Sequence, residues 1–340
     1  MTGDVPDGVA GSSKGPLMVS SRSGVAFAVT SAIAFGMSGP FAKALTDTGW
    51  SPESAVLARI VGGAVILLPV VVLLRRGALR GVLSAPVTVV AYGVVAVAGA
   101  QVCFFNAIQH LSVGVALMLE YLGPVLVIGW IWITTRRRPR PTTMAGVALA
   151  LGGALVVLDV FDGAVFDPVG VLWGLSAAVC LAFYFVVSAK QGDAVDPLVL
   201  SAAGLAVGAI VVGVAGMLGM VPLQVSTNDV AIDGRAWPWW TAVAVLALVS
   251  AAVAYVFGIM ASRALGASTA SVIALVEVLC AVVAAWLLLG ETVSLTQIAG
   301  GAAILTGAAV VQWRSDAPPP VEALPASAGM DGSHGVSVLP

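Results

Sequence analysis

Apolar runs of roughly 20 residues, the length a helix needs to cross a hydrocarbon core, recur ten times along this chain. They lie near residues 24–44, 54–74, 86–108, 112–134, 142–160, 168–189, 197–220, 238–261, 267–289 and 294–313. None alternates apolar and polar residues as the wall of a membrane barrel does. In lipid the backbone must satisfy its own hydrogen bonds, so helices are the remaining solution. Composition agrees: 59% of residues are hydrophobic and 9% charged, against about a quarter charged in soluble domains. The chain is therefore expected to be an all-α polytopic membrane protein with the lipid bilayer as its solvent. Lys14 and Arg22 precede the first run, and Ala32-Ile33-Ala34 mimics a cleavage site. The apolar stretch continues to Leu45, so the run is read as a retained span.

Positive charges give the orientation, because lysine and arginine collect on cytoplasmic loops. Placing both termini in the cytoplasm puts twelve of the fifteen bases inside, among them Arg75, Arg76, Arg80, Arg136, Arg137, Arg138 and Arg140. Lys43 and Arg59 fall toward the outer ends of spans 1 and 2, and Arg235 in an outer loop. The expected location is the cytoplasmic (inner) membrane. Residues 1–22 and 314–340, polar or rich in Pro, Ala, Ser and Gly, read as disordered cytoplasmic tails.

The chain is written twice. Shifted by 154 positions, residues 107–157 align without a gap on 261–311, with thirteen identities in fifty-one positions. Trp132 meets Trp286, and "GVALALGGALVV" (146–157) meets "GGAAILTGAAVV" (300–311). Each copy holds five spans, at 23–160 and 168–313. An odd number turns the second copy upside down, so ten transmembrane helices form two inverted five-helix repeats.

The stretch "LVEVLCAVVAAWLLLGETVSLTQIAGGAAILTGAAVV" (275–311), with its Gly290-Glu291, and Arg59 early in span 2 resemble the drug/metabolite transporter superfamily, EamA type. In the first half, "LSVGVALMLEYLGP" (111–124) is similar to the threonine/homoserine exporter branch. The family's Glu-Pro in span 9 is replaced by Glu277-Val278, which is expected to remove a helix kink. The resemblance implies an exporter with a central substrate cavity and does not name the cargo.

Of seventeen acids, only Glu120 and Glu277 lie deep within spans. A charge at a helix centre is unfavourable by at least about 2.5–3.5 kcal/mol, so such groups face a cavity or a partner, or become neutral. In the repeat register Glu120 matches Ala274 and Glu277 matches Gly123. The two acids are offset by three positions, about one helical turn, and project from similar faces. Glu120 is a candidate for recognising a substrate amine or for proton coupling; the alternative is an interhelical hydrogen bond to Gln101, Asn106 or Tyr121. Glu277 is equally a candidate site residue or a structural lock. Arg59 either snorkels to the headgroups or pairs with a carboxylate, or contacts a substrate carboxylate and forms with Glu120 a zwitterion site. Tyr121, Trp173, Tyr184 and Tyr255 combine an apolar body with a polar handle and are candidates for the cavity wall.

Gly146, Gly153, Gly300 and Gly307 recur at seven-residue spacing on spans 5 and 10, a pattern of close helix packing. They suggest a possible homodimer seam. Cys103, Cys180 and Cys280 read as small core residues. No histidine pair, phosphate-binding loop or catalytic constellation is present, so no enzyme, metal, cofactor or nucleic-acid partner is expected. The reading is a secondary transporter exporting small polar metabolites, amino acids first, by alternating access. Its alternatives are an exporter of another metabolite or drug-like amine, or a passive channel.

Overall fold

The computed structural model describes residues 21–110, 116, 119–136, 138–157, 167–189, 195–289 and 295–315. The two tails beyond those limits, Lys190, Gly290-Glu291 and most of the 5–6 loop lie outside the described residues.

Apart from the short Arg76–Leu79 and Arg80–Ser84 segments between the second and third groups, the helical segments, joined where one continues the next, form ten groups among the described residues. We label them α1 (Ser21–Gly36 and Ser38–Thr46), α2 (Pro52–Leu74), α3 (Pro86–Ala91, Tyr92–Gly99 and Ala100–His110), α4 (Gly123–Thr135, with Leu119 and Glu120 helical ahead of it) and α5 (Pro141–Val157). The second half continues with α6 (Pro168–Ala189), α7 (Pro197–Met217), α8 (Trp239–Ala247, Leu248–Val253 and Ala254–Leu265), α9 (Ala267–Ala274 and Val276–Leu289) and α10 (Leu295–Ser315). Seven of these, α1, α2, α3, α6, α7, α8 and α9, are long and apolar enough to cross a membrane. Large apolar side chains line the outside, with Val65, Leu73, Ile133, Leu172 and Ile210 all more than 60% exposed. Such a surface is stable in lipid and not in water.

Three helices begin the same way. Ser51, Asp167 and Asp196 precede Pro52, Pro168 and Pro197, and each side-chain oxygen accepts a backbone N–H one turn in, from Ser54, Val169 and Leu198. The cap satisfies a free donor, and proline at the first helical position sacrifices none.

The second half repeats the irregularities of the first. α3 widens to a π-helix over Tyr92–Gly99, and α8 does so over Leu248–Val253; with the 154-residue offset both segments end at the same position. α4 turns at Tyr121–Leu122 and α9 at Leu275, again matched positions. Trp132 and Trp286 both face outward, 48% and 52% exposed.

The lost Glu-Pro does not remove the interruption of α9. Leu275 N–H donates to Val272 O, and Val278 N–H to Leu275 O, both three residues back. Pro124 of α4 occupies the position of Val278 and has no N–H to give, yet Leu122 N–H still donates to Leu119 O. The break is therefore set by tightened turns common to both copies, with or without proline.

The glycines of α5 and α10 are used within the chain. A Cβ on Gly153 would lie 2.8 Å from Ile304 N, and one on Gly307 2.6 Å from Ala150 N. Backbones thus meet directly along this seam, which accounts for the glycine spacing without a second copy.

Among the described residues one pair of strands stands outside the helices. Val230–Ile232 (β1) and Arg235–Trp237 (β2) form an antiparallel hairpin in which Ile232 pairs with Arg235. The intervening Asp233 and Gly234 have φ of 54° and 66°, the two-residue turn that favours Asp-Gly. The hairpin and the chain before it cover one end of the bundle. Trp50 Nε1 donates to Ser226 O at 2.6 Å, Ser51 Oγ to Pro222 O at 2.8 Å, and Asp233 N–H to Leu288 O at 2.7 Å. Arg75, Arg76, Arg80, Arg136 and Arg138 lie at the opposite, basic end.

Candidate functional site

The interrupted middles of α4 and α9 bring the two deep glutamates together. Glu277 sits in the first turn of the second α9 segment, and Glu120 just before the second α4 segment. Glu277 is therefore at the start of a half-helix, where free N–H groups and the helix dipole favour an anion, whereas Glu120 lies just ahead of the turn at Tyr121–Leu122. Each is half-buried.

Arg59 of α2 is 6% exposed and turns inward. It therefore does not snorkel to the headgroups. Its Nε and Nη2 donate to Ser250 O at 3.2 and 2.8 Å, and its Nη1 donates to Ser38 Oγ at 3.0 Å. Ser250 belongs to the π-helical part of α8, where pairing slips to five residues. Ser38 begins the second segment of α1. The guanidinium also lies over the Phe35 ring, 5.5 Å from its centroid. It is within electrostatic range of Tyr255, Glu277 and Glu120. Two carboxylates thus lie within electrostatic range of one guanidinium, and two of its five N–H donors remain beyond the bonds to Ser250 and Ser38.

An aromatic column runs from this cluster toward the basic end. Phe35 meets Tyr255 edge-on at 5.2 Å, Tyr255 meets Tyr184 at 5.9 Å, and Tyr184 meets Tyr92 at 5.9 Å and Phe185 at 5.0 Å. Tyr92 is fully buried, and Tyr184 and Phe185 are each 5% exposed. Gly258 makes room for this column, because a Cβ there would overlap the Tyr184 hydroxyl and come within 3.0 Å of Ser31 Oγ. The packing closes the bundle on the basic side of the carboxylates.

On the other side, Gln101 adjoins the Tyr255 hydroxyl and also lines a recess that opens toward the hairpin end. Asn106 lines the same recess and donates its Nδ2 to Val102 O at 2.8 Å. No hydrogen bond joins Asn106 to Glu120 among the described residues. Tyr121 is buried at the α4 turn, close to both glutamates. Trp173 is half-buried on α6, and no ring contact or hydrogen bond joins it to the cluster among the described residues.

Sequence reasoning missed Ser38, Ser250, Tyr92 and Glu53. The first three act through backbone irregularities and long-range packing that leave no local pattern. Glu53, beside Ser51-Pro52, carries a signal that was present: an acid in the first turn of an apolar helix. The thiols of Cys103 and Cys180 adjoin each other between α3 and α6, near Glu120, and are free.

Fold and buried charge together define a polytopic helical membrane protein with an internal repeat, of the kind that moves small molecules across bilayers. The model of the EamA-like transporter family matches residues 22–159 and again 168–313. The chain belongs to that family, a branch of the drug/metabolite transporter superfamily. It is 28% identical over 211 residues to an uncharacterized transporter of Archaeoglobus fulgidus, a match covering 62% of this chain and 71% of that protein. A protein crystal structure is similar with a TM-score of 0.67 at 19% identity, over 87% of this chain and 98% of the other, a likeness of fold.

Proposed function

We propose that this transporter is a secondary carrier of the inner membrane that exports small polar metabolites, with amino acids of the threonine/homoserine kind first among them. The observation that carries this reading is one buried arginine within electrostatic range of two carboxylates at the broken middles of α4 and α9. A zwitterion fits that arrangement. Its carboxylate would meet the spare donors of Arg59 and the half-helix start, and its ammonium would meet Glu120 or Glu277. With Arg59 charged and both carboxyls ionised, the site would carry one excess negative charge. A proton or the substrate's ammonium can neutralise it, because a buried carboxylate without a partner is unfavourable. Competition between the two for one carboxylate would couple export to proton entry. The two repeats, 23–160 and 168–313, would rock about this centre to give alternating access. The basic end faces the cytoplasm and the hairpin end the outside, as the arginine distribution favours. No second copy of the chain is required by this scheme.

The test is the extracellular metabolite profile of cells overproducing the protein, wild type beside Glu120→Gln at matched membrane abundance. Accumulation of one or a few amino acids with wild type alone supports both exporter and site. Equal accumulation with both chains removes Glu120 from the mechanism. No accumulation of any amino acid removes the cargo assignment. A flux that rises linearly without saturation favours a channel over a carrier.

A further inference from the structure

Glu53 stands in the first turn of α2, at the hairpin end, with no role in the arrangement above. Its Oε2 is buried without a hydrogen-bond partner, the one carboxylate oxygen in that condition among the described residues. A buried acceptor left unpaired is unfavourable by roughly 1–3 kcal/mol, and more when charged, so it calls for an occupant. The recess it lines is otherwise walled by Val56, Val102, Val212 and Val221, with Gln101 and Asn106 as its other polar groups. Asn106 gives one Nδ2 N–H to Val102 O, and its carbonyl oxygen is an acceptor that it can offer to the recess. An acid and an amide oxygen in an apolar pocket are complementary to a compact cation. Gln101 joins this recess to the Tyr255 hydroxyl and hence to the neighbourhood of Arg59, Glu120 and Glu277. From Arg59 to Glu53 is six residues of α2, about 9 Å along the helix axis.

We infer that the recess is a second amine site on the outer side of the carrier, in which Glu53 receives the substrate's ammonium after it leaves the central carboxylates. This rests on the amine-export reading and adds to it a residue that governs release. The site holds one small ammonium head against Glu53 and the Asn106 carbonyl, with Gln101 as the shared wall between the two stations. Because Glu53 lies at one end only, its removal weakens binding from that face and leaves binding from the cytoplasmic face alone. An equal effect on both faces belongs to a merely structural residue.

The experiment measures saturable exchange of radiolabelled L-threonine, and of ethanolamine as an amine without a carboxylate, in right-side-out and inside-out membrane vesicles. Wild type, Glu53→Gln and Asn106→Leu are compared at equal abundance, each checked for monodispersity after extraction. Loss of one charged hydrogen bond predicts that Glu53→Gln raises the half-saturating concentration about tenfold in right-side-out vesicles. The value in inside-out vesicles is expected to stay within about twofold. Asn106→Leu shifts the same face in the same direction and less. Unchanged values for Glu53→Gln on both faces, or equal shifts on both, overturn the inference while leaving the exporter standing. Wild-type vesicles that move neither amine overturn the export reading itself, and the inference with it. Replacing external choline by sodium is the remaining arm: competition by sodium in wild type but not in Glu53→Gln assigns the recess to a metal cation and overturns its assignment to the substrate.

Discussion

Adjacent glycines on α5 should respond to the same substitution with opposite sign. A Cβ on Gly152 meets nothing within 4 Å, whereas one on Gly153 falls 2.8 Å from Ile304 N and 2.9 Å from Ala303 Cβ. The Ile304 contact is with backbone, which cannot rotate away, so α5 and α10 would have to separate. Overpacking of this kind destabilises by about 1–3 kcal/mol. Gly152→Ala removes only the unfolded-state freedom of glycine and should stabilise by about 0.5–1 kcal/mol. At roughly 2–4 °C per kcal/mol for a chain of this order of size, Gly153→Ala should lower the midpoint by about 2–12 °C and Gly152→Ala raise it by about 1–4 °C. Thermal unfolding of purified protein in one detergent, read by tryptophan fluorescence, measures both. Gly307→Ala, whose Cβ would lie 2.6 Å from Ala150 N, should behave like Gly153→Ala. If Gly152→Ala and Gly153→Ala shift the midpoint equally, the glycine seam within the chain is wrong.

Other perturbations test the site. Arg59→Met leaves two carboxylates without their cation and should destabilise by about 3–5 kcal/mol; Arg59→Lys keeps the charge but cannot bridge Ser250 O and Ser38 Oγ, and should lose about 1.5–3 kcal/mol. Thermal midpoints rank the two, and wild-type stability in Arg59→Met would contradict the buried bridge. Gly258→Ala should destabilise by about 1–3 kcal/mol by displacing the Tyr184 hydroxyl, and Tyr184→Phe should restore part of that loss. A double-mutant cycle with purely additive effects would refute the contact. At the hairpin end, Asp167 Oδ1 accepts Val169 N–H at 2.8 Å, and its Oδ2 lies 2.9 Å from His110 Nδ1. The backbone bond, helped by His110, holds the Asp167 carboxyl below its ordinary 3.8. A depressed value means a stabilisation present above pH 3.8 and lost as pH falls through the folded value. The midpoint advantage of wild type over Asp167→Asn should therefore narrow between pH 5 and pH 3, and a constant advantage over that range would contradict it.

How far the sequence carries depends on whether a feature is local. Glu120 and Glu277 are legible because a carboxylate inside an apolar run has few tolerable environments. The repeat register makes them neighbours in kind, and the structure places both at matched interruptions. The hairpin was missed although Asp233-Gly234 announces it; three-residue strands are too short to show a period. Arg59 was legible as unusual but not in its role, since Ser250 and Ser38 reach it through a π-helical segment and a helix break that no side-chain pattern encodes. The loss of proline at Val278 misled for a related reason. A missing N–H permits a kink, but here the tightened turn at Leu275 forms with the N–H present. Glu53 lay in plain view, and only the recess around it distinguishes it from an ordinary first-turn acid.

The central claim is that substrate binds where Arg59, Glu120 and Glu277 meet. Initial rates of L-threonine exchange in proteoliposomes, measured against concentration for wild type, Glu120→Gln and Glu277→Gln, test it most directly. The account predicts saturable exchange in wild type and its loss in at least one variant that remains folded, with protection of wild type against thermal unfolding by substrate and none in that variant. Saturable exchange of equal rate and half-saturation in all three proteins would contradict it.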